Sequence, residues 1–244
     1  MFPMPGAVPG NGPARRETKY AFPRGDLPGL RRHLLDTCRR IRFHRDVSEV
    51  RSIYFDDEIL SSCRANLDGL GRRRKVRIRW YDRLAPGSTV FFEIKWRRNL
   101  WTGKVRRELR CEPDLGEWSY REIGQGLART LANEQRVFVA RYPDPVALVA
   151  YQREHFLARD LGARLTLDYD LRFYDQRGAR HPVARAGHSL PEFVILEVKT
   201  ASDRSAGLQR LLHPFRPRPS RCSKYVYACR ELGLIPGIGH SFEG

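Results

Sequence analysis

The sequence has no apolar run long enough to span a membrane. Every stretch of apolar residues is far shorter than the roughly 18 residues that a transmembrane helix needs. The N-terminus also lacks the basic start, apolar stretch and small-residue cleavage site of a secretory signal. Together these absences predict a cytoplasmic protein with no membrane segment of its own.

Cysteine is scarce and scattered. The chain has five cysteines, an odd number, and their spacing is not that of a zinc site. They are Cys38, Cys63, Cys111, Cys222 and Cys229. We expect them to be small buried apolar residues in a reducing compartment.

Lysine is also scarce, although the chain is strongly basic. Lys and Arg total 45 against 28 Asp and Glu, a net charge of +17. The expected partner is therefore an anion, which could be nucleic acid, anionic lipid or polyphosphate. Only six basic residues are lysines, and each lies in a strand-like or helix-start motif: Lys19, Lys75, Lys95, Lys104, Lys199 and Lys224. Lys is a compact charge suited to phosphate, so this placement favours phosphate chemistry.

A folded domain is predicted after a Pro- and Gly-rich leader. Residues 1–14 show no periodicity and are expected to be disordered, whereas residues 15–244 are expected to form one domain. Apolar residues at helical spacing predict a helix over 26–43, and a second helix is predicted around 126–133. Loops rich in Pro and Gly are predicted at 84–88, 112–116, 143–145, 185–191 and 213–220.

The remaining segments alternate charged and apolar residues, as strands with two unlike faces do. They are 17–20, 75–80, 91–97, 164–173 and 196–199. Their charged faces mix acidic with basic residues, and their apolar faces need a packing partner. An α+β fold, in which helices flank a closed antiparallel β-barrel with a polar lumen, accounts for both features. A sheet whose charged face lies in water is the alternative.

Such a lumen suits a phosphate chain. Converging Lys and Arg side chains supply charge-assisted hydrogen bonds, which are stronger in a partly dry site than in water. Carboxylates in the same lumen would repel phosphate unless they held a cation. Mg²⁺ or Mn²⁺, bound by one or two carboxylates plus phosphate oxygens, fits this requirement. Catalysis would then rest on positioning and charge neutralisation, without covalent attachment to a side chain.

Nine short segments follow one another in a specific order. They are 16–20 (RETKY), 52–57 (SIYFDD), 75–81 (KVRIRWY), 92–95 (FEIK), 104–108 (KVRRE), 151–154 (YQRE), 164–168 (RLTLD), 196–199 (LEVK) and 223–225 (SKY). In this order they resemble the VTC domain, the polyphosphate polymerase module of the vacuolar transporter chaperone complex. That domain belongs to the triphosphate tunnel metalloenzyme (CYTH-like) superfamily. The resemblance runs from Arg15 to about Glu231.

The resemblance implies a tunnel of antiparallel strands and a reaction, dependent on Mn²⁺ or Mg²⁺, that extends polyphosphate with the γ-phosphoryl of ATP. The implied phosphate-contacting positions are Lys19, Arg77, Arg79, Lys95, Arg164 and Lys224. Further substrate-binding positions are Lys199, Arg221 and Lys104. The implied metal position is Glu197, and Glu93 and Glu17 face the same way. Asp56 and Asp57 could assist the metal or end a strand, and we expect the latter.

Several functions stay open at the level of sequence. A triphosphatase of the same superfamily would share the lumen with a polymerase. A non-catalytic polyphosphate sensor is disfavoured by Glu197, because a pure anion binder gains nothing from a lumen carboxylate. The charge alone suggests nucleic acid, but no recognition motif supports a specific nucleic-acid partner. Whether an unidentified protein partner supplies the membrane part of the family's complex is also open.

Overall fold

A computed structural model describes residues 15–43, 45–99, 101–201 and 205–235. The leader predicted over residues 1–14 lies outside the described residues. The chain divides into two compact units. Unit 1 comprises the described parts of 1–48, 153–169 and 192–222, and unit 2 those of 49–152, 170–191 and 223–244. The single domain expected over 15–244 stays a prediction.

Ten strands in the described residues form one antiparallel sheet. They are β1 (Arg15–Pro23), β2 (Arg39–Ile41), β3 (Ser48–Asp56), β4 (Arg72–Tyr81), β5 (Thr89–Arg98), β6 (Trp101–Arg110), β7 (Asp144–Ala158), β8 (Ala163–Asp175), β9 (His188–Leu190) and β10 (Phe193–Ala201). Their order is β1-β10-β8-β7-β3-β4-β5-β6, with β2 beside β7 and β9 beside β8. This order has two ends, at β1 and β6, so the described hydrogen bonds do not close it into a ring.

Six α-helices accompany the strands in the described residues. They are α1 (Leu27–Thr37), α2 (Ser61–Leu67), α3 (Tyr120–Thr130), α4 (Asn133–Arg141), α5 (Ser205–Leu212) and α6 (Lys224–Glu231). The predicted α+β class, with helices flanking antiparallel strands, is thereby confirmed. The closed barrel predicted with it is not found, because the strand order of the described residues leaves β1 and β6 as its two ends. No helix among the described residues is long and apolar enough to cross a membrane.

The helix predicted over 26–43 is shorter than expected. Helix α1 ends at Thr37, where Cys38 takes an extended backbone, and residues 39–41 form β2 against β7. The predicted helix was too long because Cys38 and Ile41 continue the helical spacing of apolar residues, although the backbone leaves the helix at Cys38. The helix predicted around 126–133 is two helices, since α3 ends at Thr130 and α4 begins at Asn133.

All five predicted strand segments lie within strands, and each unit packs its apolar sheet side against helices. In unit 2 the apolar residues of β3, β4 and β5 pack with Ile123, Leu127 and Leu131 from the region of α3. In unit 1 the apolar residues of β8 and β10 pack with leucines of α1 and α5. Burial of this apolar surface leaves the charged side of each strand pointing the other way.

Three further details differ from the pattern of strands and loops predicted from the sequence. Asp170 in β8 has a positive φ of 53°, and further along the same strand the neighbours Phe173 and Tyr174 are both buried. The predicted loop at 143–145 is mostly strand, because β7 begins at Asp144. The predicted loop at 185–191 contains the short strand β9.

Candidate functional site

One polar row crosses four strands of unit 2. The strand register pairs Tyr54 of β3 with Arg77 of β4, Arg77 with Glu93 of β5, and Glu93 with Arg106 of β6. Directly paired residues project from the same side of a sheet. The packing of α3 lies on the other side, so this row belongs to the polar face of unit 2.

Glu93 is the centre of this face, and its side chain is only 1% exposed. Arg77 donates to Glu93 Oε2 through Nε at 2.7 Å and Nη2 at 2.5 Å. Lys104 Nζ lies 2.6 Å from Oε1. Arg79 Nη1 lies 3.7 Å from Oε2, and Arg106 Nε lies 3.7 Å from Oε1. We call these five residues the Glu93 cluster. Four cations around one carboxylate leave an excess of positive charge, which suits an anion.

The electrostatics of the Glu93 cluster follow from its charges. Burial would raise the pKa of Glu93, but Arg77, Arg79 and Lys104 outweigh it and hold the pKa well below its usual range. Burial lowers the pKa of Lys104 to about 8; Glu93 opposes this shift, while Arg77 and Arg79 add to it. Glu93 is therefore ionised at neutral pH and aligns the neighbouring cations.

Tyrosine side chains extend the polar face beyond the predicted residues. Tyr54 Oη accepts a hydrogen bond from Arg77 Nη1 at 2.9 Å, and Tyr151 Oη accepts a long one from Arg79 Nη2 at 3.5 Å. Lys224, the first residue of α6, places Nζ 4.6 Å from the centre of the Tyr151 ring, which is a cation–π contact. Lys224, Arg77 and Arg79 are thus all held by aromatic residues of unit 2.

Three lysines form a second row on this polar face. Lys95 of β5 is paired with Lys75 of β4 on one side and with Lys104 of β6 on the other. Adjacent like charges on paired strands repel one another, and Lys104 is already paired with Glu93. The row adds three cationic side chains to the polar face of unit 2.

A second charged group, which we call the Glu197 cluster, lies in unit 1. Glu197 of β10 is paired with Lys19 of β1, and Lys199 with Glu17. Lys199 Nζ lies 2.7 Å from Glu197 Oε1, and Lys19 Nζ lies 3.8 Å from Glu197 Oε2 and 3.6 Å from Glu17 Oε1. Lys19 also donates to the carbonyl of Cys222 at 3.1 Å. The cluster comprises Glu17, Lys19, Glu197 and Lys199.

The model of one protein family, the VTC domain, matches residues 14–232. The chain belongs to the VTC domain family. That family is associated with polyphosphate enzymes, so the chain has a polyphosphate-related function. No curated protein matches the sequence.

The structure distributes the predicted site residues of this VTC domain over the two units. Unit 2 brings Arg77, Arg79 and Lys104 to Glu93, with Lys95 beside Lys104 and with Lys224 on Tyr151. Unit 1 brings Lys19, Lys199 and Glu17 to Glu197. Arg164 is exposed and paired with Lys199 in the strand register. Arg221 is exposed and directly precedes Cys222.

Two of the three carboxylates predicted to bind metal, Glu93 and Glu197, have different surroundings. Glu93 is already surrounded by four cations, which makes it a poor ligand for another cation. Glu197 is paired across the strands with Thr166, whose Oγ1 is buried without a hydrogen-bond partner among the described residues. A carboxylate and a free hydroxyl are oxygen donors of the kind that Mg²⁺ and Mn²⁺ prefer. The residues around Glu197 therefore fit a hard divalent cation.

The described residues contain no group of three or more His, Cys, Asp or Glu side chains that could hold a metal ion. A cation at Glu197 would therefore take most of its ligands from phosphate oxygens and water. Magnesium ions in phosphoryl-transfer sites are bound in this way, through one or two carboxylates plus substrate. The donor set is consistent with a metal that arrives with its phosphate ligand.

Sequence reasoning missed several polar residues of the VTC domain. In unit 2 these are Tyr54, Tyr151 and Arg106, which lie in the recognised segments. Their contacts with Arg77, Arg79 and Glu93, respectively, join different strands, so the pattern of one strand cannot show them. In unit 1, Arg153 binds the fully buried Asp168 through two hydrogen bonds of 2.5 and 2.6 Å. The alternation of β8 had already marked Asp168 as a residue of the charged face, but not its partner on β7.

Proposed function

We propose that the chain is a metal-dependent polyphosphate polymerase, which transfers the γ-phosphoryl of ATP onto a polyphosphate chain. The Glu93 cluster carries this proposal. Four cations surround one buried carboxylate on the polar face of an antiparallel sheet, in a chain of the VTC domain family. An arrangement of this kind binds an extended, highly charged anion better than it binds a neutral ligand.

The Glu93 cluster would bind phosphate oxygens. Glu93 engages Arg77 through Nε and Nη2, while Nη1 is held by Tyr54. The guanidinium therefore has a fixed plane before any ligand arrives, which reduces the entropy lost on binding. Arg79 and Lys104 add charge on either side of this plane. Donors that are aligned in advance also stabilise the charge that develops in a transition state.

The Glu197 cluster would hold the divalent cation, through the Glu197 carboxylate and the Thr166 hydroxyl. When bound, Mg²⁺ or Mn²⁺ supplies charge neutralisation on the phosphate oxygens. Lys19 and Lys199 contact the same carboxylate and would bind phosphate oxygens beside it.

The proposed transfer needs no covalent intermediate with the protein. The bond between the γ-phosphorus and its bridging oxygen breaks, and a bond forms from a terminal oxygen of the acceptor chain to the same phosphorus. ADP leaves with the electron pair of the broken bond. The Lys and Arg side chains hold donor and acceptor in place and neutralise charge during the transfer.

The test uses the purified 244-residue chain with ATP and Mn²⁺ or Mg²⁺, and separates long polyphosphate from free phosphate on a gel. Long chains are the expected product. Free phosphate alone would reject the polymerase in favour of a triphosphatase, and firm polyphosphate binding without turnover would reject it in favour of a sensor. Arg77→Ala is expected to reduce chain formation roughly 100-fold or more. Arg83→Ala, which removes an exposed arginine paired with Asp114, is the matched control and is expected to be active.

A further inference from the structure

Asp56 is a buried carboxylate that the proposed mechanism does not use. It is the last residue of β3, and it is 0% exposed. Its Oδ1 accepts hydrogen bonds from the backbone N–H of Asp57 at 3.0 Å and of Ser62 at 2.9 Å. Its Oδ2 accepts from the backbone N–H of Cys63 at 2.9 Å. Asp56 thereby ties the end of β3 to the first turn of α2, whose N–H groups have no partner within the helix.

A fourth hydrogen bond connects Asp56 to α6. The hydroxyl of Tyr225, a residue only 1% exposed, donates to Asp56 Oδ2 at 2.8 Å. Hydrogen bonds to a carboxylate are stronger than those between neutral groups. Tyr225 directly follows Lys224, so this bond fixes the start of the helix that presents Lys224.

The ring of Tyr225 supports the Glu93 cluster as well. It stacks on Tyr54 with the ring centres 4.9 Å apart and the planes within 10° of parallel. The hydroxyl of Tyr54 accepts the hydrogen bond from Arg77. The position of Tyr225 therefore influences two cations at once: Lys224 through the chain, and Arg77 through Tyr54.

We infer that Asp56 and Tyr225 are positioning residues, which hold Lys224 and the Tyr54–Arg77 contact in the arrangement that binds phosphate. This inference rests on the proposed phosphate-binding role of Lys224 and Arg77. The competing interpretation is that Asp56 and Tyr225 only stabilise the interior of unit 2. The two interpretations differ in one respect, because only positioning makes the contribution of Lys224 to phosphate affinity depend on the hydroxyl of Tyr225.

A double-mutant cycle on phosphate affinity tests this dependence. The probe is inorganic tripolyphosphate, titrated calorimetrically into the full chain without metal or nucleotide. The variants are Tyr225→Phe, which removes one hydroxyl and keeps the ring stack, Lys224→Ala, and the double variant. Tyr120→Phe is the matched control, since its hydroxyl donates to Gln176 at 2.5 Å in the same unit.

Lys224→Ala is expected to weaken the affinity about 10-fold in the wild type, and about 3-fold or less in the Tyr225→Phe background. Tyr225→Phe alone is expected to weaken it about 5-fold, and Tyr120→Phe to leave it unchanged. Absence of tripolyphosphate binding by the wild type would reject the proposed function itself. Binding that is insensitive to Tyr225→Phe or to Lys224→Ala, or effects that multiply in the double variant, would overturn only the inference.

A second variant keeps the inference testable if Tyr225→Phe does not fold, as judged by circular dichroism. Tyr54→Phe keeps the stack on Tyr225 but removes the hydroxyl that accepts from Arg77. Its expected effect is a loss of tripolyphosphate affinity of about 3-fold. An unchanged affinity in this folded variant would also overturn the inference.

Discussion

At the scale of single residues, each of the two clusters depends on a buried carboxylate that aligns cations. Glu93 holds Arg77 and Lys104 at hydrogen-bonding distance, and Glu197 holds Lys199. These acidic residues neutralise part of the positive charge around them. The cations can therefore lie close together in the fold.

The depressed pKa of Glu93 predicts a specific pH dependence of stability. Because ionisation of Glu93 is favoured in the fold, its contribution is fully present above the unfolded-state pKa of about 4.3 and is lost as the pH falls below that value. Glu93→Gln should lower the free energy of unfolding by about 2 kcal/mol at pH 7. The loss is smaller than for fully buried pairs, because Lys104 and Arg106 are 42% and 41% exposed.

Urea unfolding of the wild type and Glu93→Gln between pH 7 and pH 3 measures this effect. The difference between the two proteins should shrink as the pH falls through about 4. Glu108→Gln, on the neighbouring strand and half exposed, is the control and should show a small difference at every pH. A difference for Glu93→Gln that stays constant with pH would contradict the account.

The residue scale also shows what the sequence could and could not predict about the site. Alternation marked Arg77, Glu93 and Glu197 as residues of charged faces, and the structure places each beside an opposite charge. Arg106 and Tyr54 were missed because their role depends on which residue lies opposite on the next strand. Register is set by turns and packing between distant segments, which one strand's pattern does not contain.

At the scale of elements, strands were easier to predict than helix ends. Strands β4 and β5 have one polar and one apolar face, so a period of two is visible in their sequences. The end of α1 was missed because Cys38 and Ile41 are apolar in both a helix and the strand that replaces it. The boundary between α3 and α4 was missed because Leu131 is apolar and buried although it lies between them.

Helix α3 allows a test of how far the two sides of the unit 2 sheet act independently. Ser119 and Glu122 form a capping box at its start, in which the hydroxyl of Ser119 accepts from the N–H of Glu122 and the carboxylate of Glu122 accepts from the N–H of Ser119. Ser119→Ala should lower stability by about 1 kcal/mol and Tm by about 2–4 °C. Its affinity for tripolyphosphate should be unchanged, because α3 packs on the apolar side.

Calorimetric scanning and tripolyphosphate titration of Ser119→Ala check both parts of this prediction. The wild type in the same buffer is the reference. A loss of affinity of more than about 3-fold would contradict the prediction, because it would show that the side of the sheet that packs on α3 affects tripolyphosphate binding.

At the scale of the whole molecule, an excess of 17 positive charges would attract many anions, including nucleic acid, in a salt-dependent way. Net charge therefore says little about function by itself. The specific signal is the combination of family membership with two carboxylate-centred clusters, one in each unit. The family could be recognised from ordered short segments, whereas the division into two units could not, because each unit is assembled from separate parts of the chain.

The proposed function requires that this chain makes polyphosphate with the help of a cation held at Glu197. The most direct measurement follows the radiolabel from γ-labelled ATP into long polyphosphate, in the presence of Mn²⁺, for the wild type, Glu197→Gln and Glu192→Gln. Glu192 is an exposed glutamate just before β10 and serves as the matched control. We expect labelled chains from the wild type and Glu192→Gln, and a loss of about 100-fold or more in Glu197→Gln with an unchanged circular dichroism spectrum. Labelled free phosphate without labelled chains, or full activity of Glu197→Gln, would contradict it.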